Sequence, residues 1–276
     1  MNRLVYLLDH TISSILGNPY HDKVKAYWFI KEKNSGDLVT PCLLKHYHFS
    51  PQHAYPNEAA LISSGSILEK VPENFSGIIL GTGFMHANST RSFTHARVLA
   101  VRGPLTRDHM NAPKDILIGD PGLLVPGLLS KRQKKQYVLG FVPHYADKGD
   151  IRVRQMCKRY NREIHFIDIQ ANPFSVIREI DKCQNILSSS LHGLIFADAL
   201  NIPNAWSELS DRVSGKGFKF RDYLLSVRRS THPIVFSGEE NLTEMISQMV
   251  TPTQAIVAER ISGLDGAFQM LQKYLG

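Results

Sequence analysis

Residues 184–207 read QNILSSSLHGLIFADALNIPNAWS, and the reading of this stretch decides the fold. Residues 184–188 form a short apolar run ending in hydroxyls, as a buried strand does where it meets a turn. Residues 191–200 carry a helical pattern, and 204–207 form a second short strand. Strands of continuous apolar character alternating with helices predict a parallel sheet covered on both faces.

The same unit recurs upstream. A strand at 137–142 precedes a helix at 150–161 and a strand at 164–169. Asn172-Pro173 then supplies an N-cap and a first-turn proline for a helix running to Cys183. Residues 131–136, KRQKKQ, break the alternation with charge and read as a solvated linker. Before them, apolar runs at 26–30, 78–80, 97–101 and 116–118 end in Asn34-Ser35-Gly36-Asp37, Gly81-Thr82-Gly83, Arg102-Gly103-Pro104 and Gly119-Asp120-Pro121-Gly122. Each turn is expected to lead into a helix. The class is α/β, with two Rossmann-like lobes facing a central cleft: 1–130, the linker 131–136, and 137–251. In 252–276 an apolar stripe through Ile256, Ile261, Leu264, Phe268 and Leu271 predicts a helix that packs back on the first lobe.

Composition narrows the function classes. The 276 residues are 43% hydrophobic and 21% charged, which excludes a disordered or collagen-like chain. Lys and Arg outnumber Asp and Glu by 32 to 25, so the chain carries +7 and favours an anionic partner. The basic run at 131–136 lacks interleaved aromatics, which argues against nucleic acid. Three cysteines (Cys42, Cys157 and Cys183) show no metal spacing and cannot all pair, so a reduced cytoplasmic chain without a metal is expected. No stretch approaches the roughly 18 apolar residues of a spanning helix. Residues 1–17 hold a short apolar run interrupted by Asp9 and His10, with no small-x-small cleavage site, and are not expected to be a signal peptide. Peripheral contact with the inner face of a membrane stays open.

Ligands of parallel sheets bind beyond the carboxyl ends of the strands, so those turns hold the candidates. Ser188-Ser189-Ser190-Leu191-His192-Gly193 joins capping hydroxyls, a helix N-terminus able to hold an anion, and a histidine. Capping plus a packed histidine is the plain alternative. Arg102, after the strand RVLAV, suits bidentate contact with phosphate or carboxylate, against a simple ion pair. Asn34, Gly36 and Asp37 form another such turn, where capping is locally sufficient. His144, in Pro143-His144-Tyr145, is a second candidate base. Lys219 and Arg221 lie among aromatics in 217–223, read as a basic loop. The chain contains no GxGxxG, Walker A, HExxH or GxSxG motif, so dinucleotide chemistry, ATP hydrolysis, zinc proteolysis and serine hydrolysis lose support.

The ordered set Asn34-x-Gly36-Asp37, Gly81-Thr82-Gly83-Phe84, Val101-Arg102-Gly103-Pro104-x-Thr106, Gly119-Asp120-Pro121, Pro143-His144-Tyr145 and Ser188-Ser189-Ser190-Leu191-His192-Gly193-Leu194-Ile195-x-Ala197 resembles the polysaccharide pyruvyl transferase family. It is most similar to the bacterial members that decorate exopolysaccharides and capsules. The resemblance runs over about residues 30–225 and implies a fold like that of the glycosyltransferase-B enzymes. It also implies phosphoenolpyruvate as donor (a substrate, with no cofactor) and a sugar hydroxyl pair as acceptor, lipid-linked or free, giving a pyruvate ketal and phosphate. Family members place an Arg of the first lobe and an Arg-Leu-His triplet of the second around the donor. Arg102, Leu191 and His192 match, whereas Ser190 stands where the triplet has Arg, with Lys219 and Arg221 as candidate replacements. The donor side is thus Arg102, Ser189, Ser190, Leu191, His192, Lys219 and Arg221, and the acceptor side Asn34, Gly36, Asp37 and Gly83. Both ketal steps need proton transfer near pH 7, for which His192 is the first choice and His144 the second. A nucleotide-sugar glycosyltransferase and a non-catalytic sugar- or anion-binding homologue are the alternatives.

Overall fold

A computed structural model describes residues 22–275. The reading of residues 1–17 as other than a signal peptide lies outside the described residues. Among the described residues ten strands form two sheets, and each strand pairs with its neighbours in parallel. The first contains β1 (Lys23–Tyr27), β2 (Ser50–His53), β3 (Leu61–Ile62), β4 (Ile78–Leu80), β5 (Arg97–Val101) and β6 (Leu117–Ile118), in the order β2-β1-β3-β4-β5-β6. The second contains β7 (Tyr137–Val142), β8 (Ile164–Phe166), β9 (Cys183–Ser188) and β10 (Asn204–Trp206), in the order β10-β9-β7-β8. Each is a Rossmann-like arrangement. In both, the first strand is followed by a neighbour on one side and then by a strand on the other. The strand order therefore reverses between β1 and β3, and again between β7 and β9.

The helices follow local chemistry. α1 (Val39–His46) connects β1 to β2, and α2 (Pro104–His109) follows β5. α3 (Ile151–Arg159) is capped by Asp150, whose Oδ1 accepts from Arg152 N at 2.9 Å. α4 (Pro173–Asp181) starts on its proline, and Asn172 caps it at 3.0 Å to Phe174 N. α5 (Leu191–Ala199) is buried on every face through Asp198, which explains why its sequence shows no polar side. α6 (Phe218–Ser226) corrects the reading of 217–223 as a loop: Phe218, Phe220, Tyr223 and Leu224 bury a helical face that the interspersed charges masked. α7 (Leu242–Ser247), α8 (Gln254–Gln269) and α9 (Leu271–Leu275) complete the described chain. Two turns expected to open α-helices do otherwise. An irregular segment follows β4, and a 3-10 helix carrying an internal Pro126 (Pro121–Leu128) follows β6.

One apolar cluster runs from Val24, Ala26 and Leu80 in the first sheet, through Leu123–Val125, to Leu194, Ile195 and Phe196 of α5 in the second half. The charge run at 131–136 is partly pinned: Arg132 chelates Asp181 at 2.7 and 2.9 Å, and Lys135 Nζ donates to the Asp181 and Cys183 carbonyls. α8 lies along the β5–β6 side, where Leu264 meets Gly119 and Gly263 meets Leu117, and Phe268 stacks on Tyr47 at 5.0 Å. Arg260 Nε of the same helix reaches Ser226 O of α6 at 3.2 Å. Among the described residues no helix is long and apolar enough to cross a membrane.

Candidate active site

Both order reversals open at the carboxyl ends of their strands, where parallel sheets bind ligands, and the two face each other. Between them lies a cavity of about 260 Å³. Its walls come from the turns after β1 (Asn34, Asp37), β3 (Gly65, Ser66), β7 (His144, Tyr145) and β9 (Ser190, Leu191, His192), with Lys219 reaching in from α6. Ser35 ties the halves together there, donating from N to Ile169 O at 2.9 Å and from Oγ to Ala171 O at 2.7 Å.

His192 sits in the first turn of α5, 5% exposed. Ser64 Oγ donates to Gly36 O at 3.1 Å, so its oxygen accepts from His192 Nε2 at 3.1 Å. That network assigns the ring proton to Nε2 and leaves Nδ1 as the ring's acceptor. On the Nδ1 side the ring lies against Gly36, where a Cβ would stand 1.9 Å from Nδ1. Gly36 is thus required for close approach, held by the Asn34 side chain, which accepts from Gly36 N at 2.9 Å. Gly36→Ala is expected to displace the ring and to cost about 1–3 kcal/mol, read as a lower thermal midpoint. An unchanged midpoint would show that the ring gives way freely.

Asp37 and Lys219 line the cavity, and among the described residues neither makes a hydrogen bond or ion pair. Burial pushes the Asp37 carboxyl up to about 6, against the pull of His192 and Lys219. Gly65 passes within 2.6 Å (as Cβ) of Asp37 Oδ1 at φ +111°, a backbone shape reserved for glycine. Burial lowers the Lys219 ammonium to about 8, with Asp37 acting in the opposite sense. Lys219 therefore stays charged at neutral pH, 6% exposed, over the Phe220 ring. His144 accepts from Ala146 N at 3.2 Å, and burial, helped by Lys219, holds its imidazole down at about 3. A ring that stays neutral with Nδ1 occupied offers Nε2–H as a donor and is a poor base.

The structure brings Asn34, Asp37, His144, Ser190, Leu191, His192 and Lys219 to one cavity. Ser189 lies beneath it, accepting from His144 N at 2.9 Å and donating to Asp147 at 3.1 Å. Arg102, Gly83 and Arg221 are not on the lining. Arg102 is wholly buried: Nε meets Asp222 Oδ2 at 3.0 Å, Nη1 meets Ser66 Oγ at 2.5 Å and Nη2 meets Phe84 O at 2.7 Å, with Gly83 packed on the guanidinium. Arg221 Nη2 donates to Lys216 O at 2.7 Å. The sequence offers no signal for Ser64, Gly65 or Ser66, whose strand is two residues long. Asp120 shows in the sequence through the Gly119-Asp120-Pro121 turn, with nothing there to pair it with His192. Among the described residues no three His, Cys, Asp or Glu side chains converge as a metal site needs.

Fold and site define an α/β protein with a cavity between two parallel sheets that holds two histidines, a buried carboxyl and a buried ammonium. The chain belongs to the polysaccharide pyruvyl transferase family, which matches residues 5–208. It is 27% identical over 202 residues to the succinoglycan biosynthesis protein ExoV of Rhizobium meliloti (strain 1021), covering 71% of this chain and 62% of ExoV, under two thirds of that protein's length. It is 27% identical over 227 residues to an uncharacterized protein of Acanthamoeba polyphaga mimivirus, covering 74% of this chain and 75% of that one. A functionally uncharacterized protein from Klebsiella pneumoniae subsp. pneumoniae NTUH-K2044 superimposes with TM-score 0.42 at 14% identity, over 86% of this chain and 100% of that chain.

Proposed function

We propose that the chain transfers a pyruvyl group from phosphoenolpyruvate to two hydroxyls of a sugar in a surface-polysaccharide precursor. The products are a pyruvate ketal and inorganic phosphate. The observation that carries this reading is Lys219: a buried ammonium with no hydrogen bond or ion pair among the described residues, lining a cavity that also holds the N-terminus of α5. Such an ammonium asks for an anion, and phosphoenolpyruvate brings a phosphate and a carboxylate. Membership of the family supports pyruvyl transfer, and the role of ExoV in succinoglycan biosynthesis supports a polysaccharide acceptor. In this proposal the two halves act as glycosyltransferase-B-like lobes. Residues 1–130 present the acceptor side through Asn34 and Asp37, and residues 137–251 present the donor side. Lys219 supplies the cation that Ser190 lacks. The chain works in the cytoplasm, at the inner face of a membrane when its acceptor is lipid-linked.

Chemically, one acceptor hydroxyl loses its proton as its oxygen bonds to the central carbon of the donor, and the methylene carbon gains a proton to become methyl. The second hydroxyl then bonds to the same carbon as the C–O bond to phosphate breaks, and its proton leaves with phosphate or to solvent. His192 Nδ1 takes the hydroxyl proton. Asp37, poised near pH 6, accepts a hydroxyl hydrogen bond or returns a proton. His144 donates from Nε2 to a donor oxygen.

The test is phosphate release from phosphoenolpyruvate with a panel of sugar acceptors. Consumption of a nucleotide sugar instead, or binding with no turnover, would overturn the reading. Lys219→Ala is expected to raise KM for phosphoenolpyruvate about 10- to 100-fold, the worth of a charge-assisted contact of about 1.5–3 kcal/mol. In the unaltered chain, donor affinity holds below about pH 8 and declines above it as Lys219 loses its proton. The variant should lose that decline, and an unchanged profile would exclude Lys219 as the donor's cation.

A further inference from the structure

We infer that Asp120 is a positioning residue for His192: its buried carboxylate, 3.7 Å from Nε2, orients the imidazole as a nearby counter-charge and stabilises the imidazolium formed when Nδ1 takes a proton. This rests on the reaction proposed above. Asp120 follows β6 and is fully buried. Its Oδ1 accepts from Gly122 N at 2.8 Å and stands 3.7 Å from His192 Nε2. Its Oδ2 is buried without a hydrogen-bond partner among the described residues.

Capping accounts for one contact of Oδ1 and for nothing else. Asn172 caps α4 from an exposed position, so the task needs neither burial nor a carboxylate. Burying an anion short of partners lowers stability, and a compensating gain is to be sought beside it. His192 provides that gain. Next to a neutral imidazole the carboxylate is under-satisfied, whereas next to an imidazolium it faces a full opposite charge in a medium of low dielectric. The interaction is stronger in the charged state that forms during the reaction than in the resting state, which is the condition for lowering a barrier.

The proton balance is simple. The acceptor O–H breaks and its proton passes to Nδ1 as the oxygen bonds to the central carbon of the donor. The donor's C=C double bond opens while its methylene takes a proton from the protonated Asp37 carboxyl and becomes methyl. The Nε2 proton stays in its hydrogen bond to Ser64, and Asp120 receives none. The groups facing His192 from neighbouring elements are Ser64 after β3, Gly36 and Asp37 after β1, and Phe196 one turn along α5, ring centroids 5.6 Å apart. Asp37 lines the cavity and is open to ligand; Asp120 lies behind the ring, a fixed counter-charge.

Asp120→Asn keeps the shape and the oxygen that accepts from Gly122 N while removing the charge. Two readouts test it: steady-state phosphate release, and the imidazole nitrogen chemical shifts of His192 in the unliganded protein. We expect kcat to fall about 10²-fold, with KM for phosphoenolpyruvate and the thermal midpoint unchanged. Adding the change to His192→Asn should cost little more, as for residues acting as a unit. The unaltered chain should show the Nε2-protonated ring, and Asp120→Asn a gain of the Nδ1-protonated form. Retained kcat, an equal loss in the His192→Asn background, or the same ring form in both proteins would overturn the assignment. If Asp120→Asn folds poorly, Asp120→Ser, which keeps a capping hydroxyl, is read by the same criteria. If the unaltered chain releases no phosphate, the proposed reaction falls, while the nitrogen shifts still decide the role of Asp120.

Discussion

Replacing His192 with asparagine is expected to cut turnover about 10²–10⁴-fold while leaving the fold and most donor affinity in place. The expectation comes from the position of the ring. Its Nε2 is held by Ser64, its Nδ1 is left as the acceptor, and it stands at the start of α5 on the cavity wall. Asparagine fills a similar volume but has no group that accepts a proton near neutral pH. Steady-state kinetics together with thermal unfolding separate the outcomes. A purely structural histidine would give a lower midpoint and near-normal turnover in the folded fraction. His144→Asn makes the contrast. Because burial keeps that imidazole down at about 3, it should alter donor affinity more than kcat. Turnover that survives His192→Asn but collapses in His144→Asn would reverse the two roles.

Arg102→Ala is the second large effect, and it is an effect on stability. Arg102 and Asp222 are both fully buried, 3.0 Å apart, and Thr106 adds two hydrogen bonds to the same carboxylate. Removing the guanidinium leaves Asp222 as an uncompensated buried charge, at a cost of about 3–5 kcal/mol. For a chain of this size that lowers the thermal midpoint by about 10 °C. The pair also joins β5 to α6, and Lys219 lies one turn before Asp222. Weaker donor binding should accompany the loss, transmitted through the helix. Arg102→Ala combined with Asp222→Ala should be less damaging than the sum of the two single changes, because the stranded charge is gone. A variant with a normal midpoint and only weakened donor binding would instead make Arg102 a direct ligand.

The two predictions differ in how far the sequence anticipates them. His192 stands out in the chain because an apolar strand, three serines and a buried helix surround it, all within ten residues. Arg102 shows only as a cation at a strand end. Its partner Asp222 is 120 positions away, beyond the matched segment, on a helix whose charges disguise its buried face. Asp120 likewise shows only through its turn, and its second role needs a ring from α5 brought within 3.7 Å.

By itself the sequence determined the class of fold and the bounds of its clearest strands. Apolar runs at β4, β5 and β7 end where the structure ends them, because their carboxyl ends are buried on both faces and must be apolar there until the backbone turns into polar caps. It also determined where chemistry could lie, since ligands gather at the carboxyl ends of such strands. Only the tertiary structure decided which ends meet. The strand orders place the reversals at β1/β3 and β7/β9, and no local pattern encodes which strand becomes whose neighbour. It also decided the charge states at the site, where Asp37, His144 and Lys219 are all moved by burial. Burial is a property of the packed assembly of distant segments, and a single segment of chain carries no measure of it.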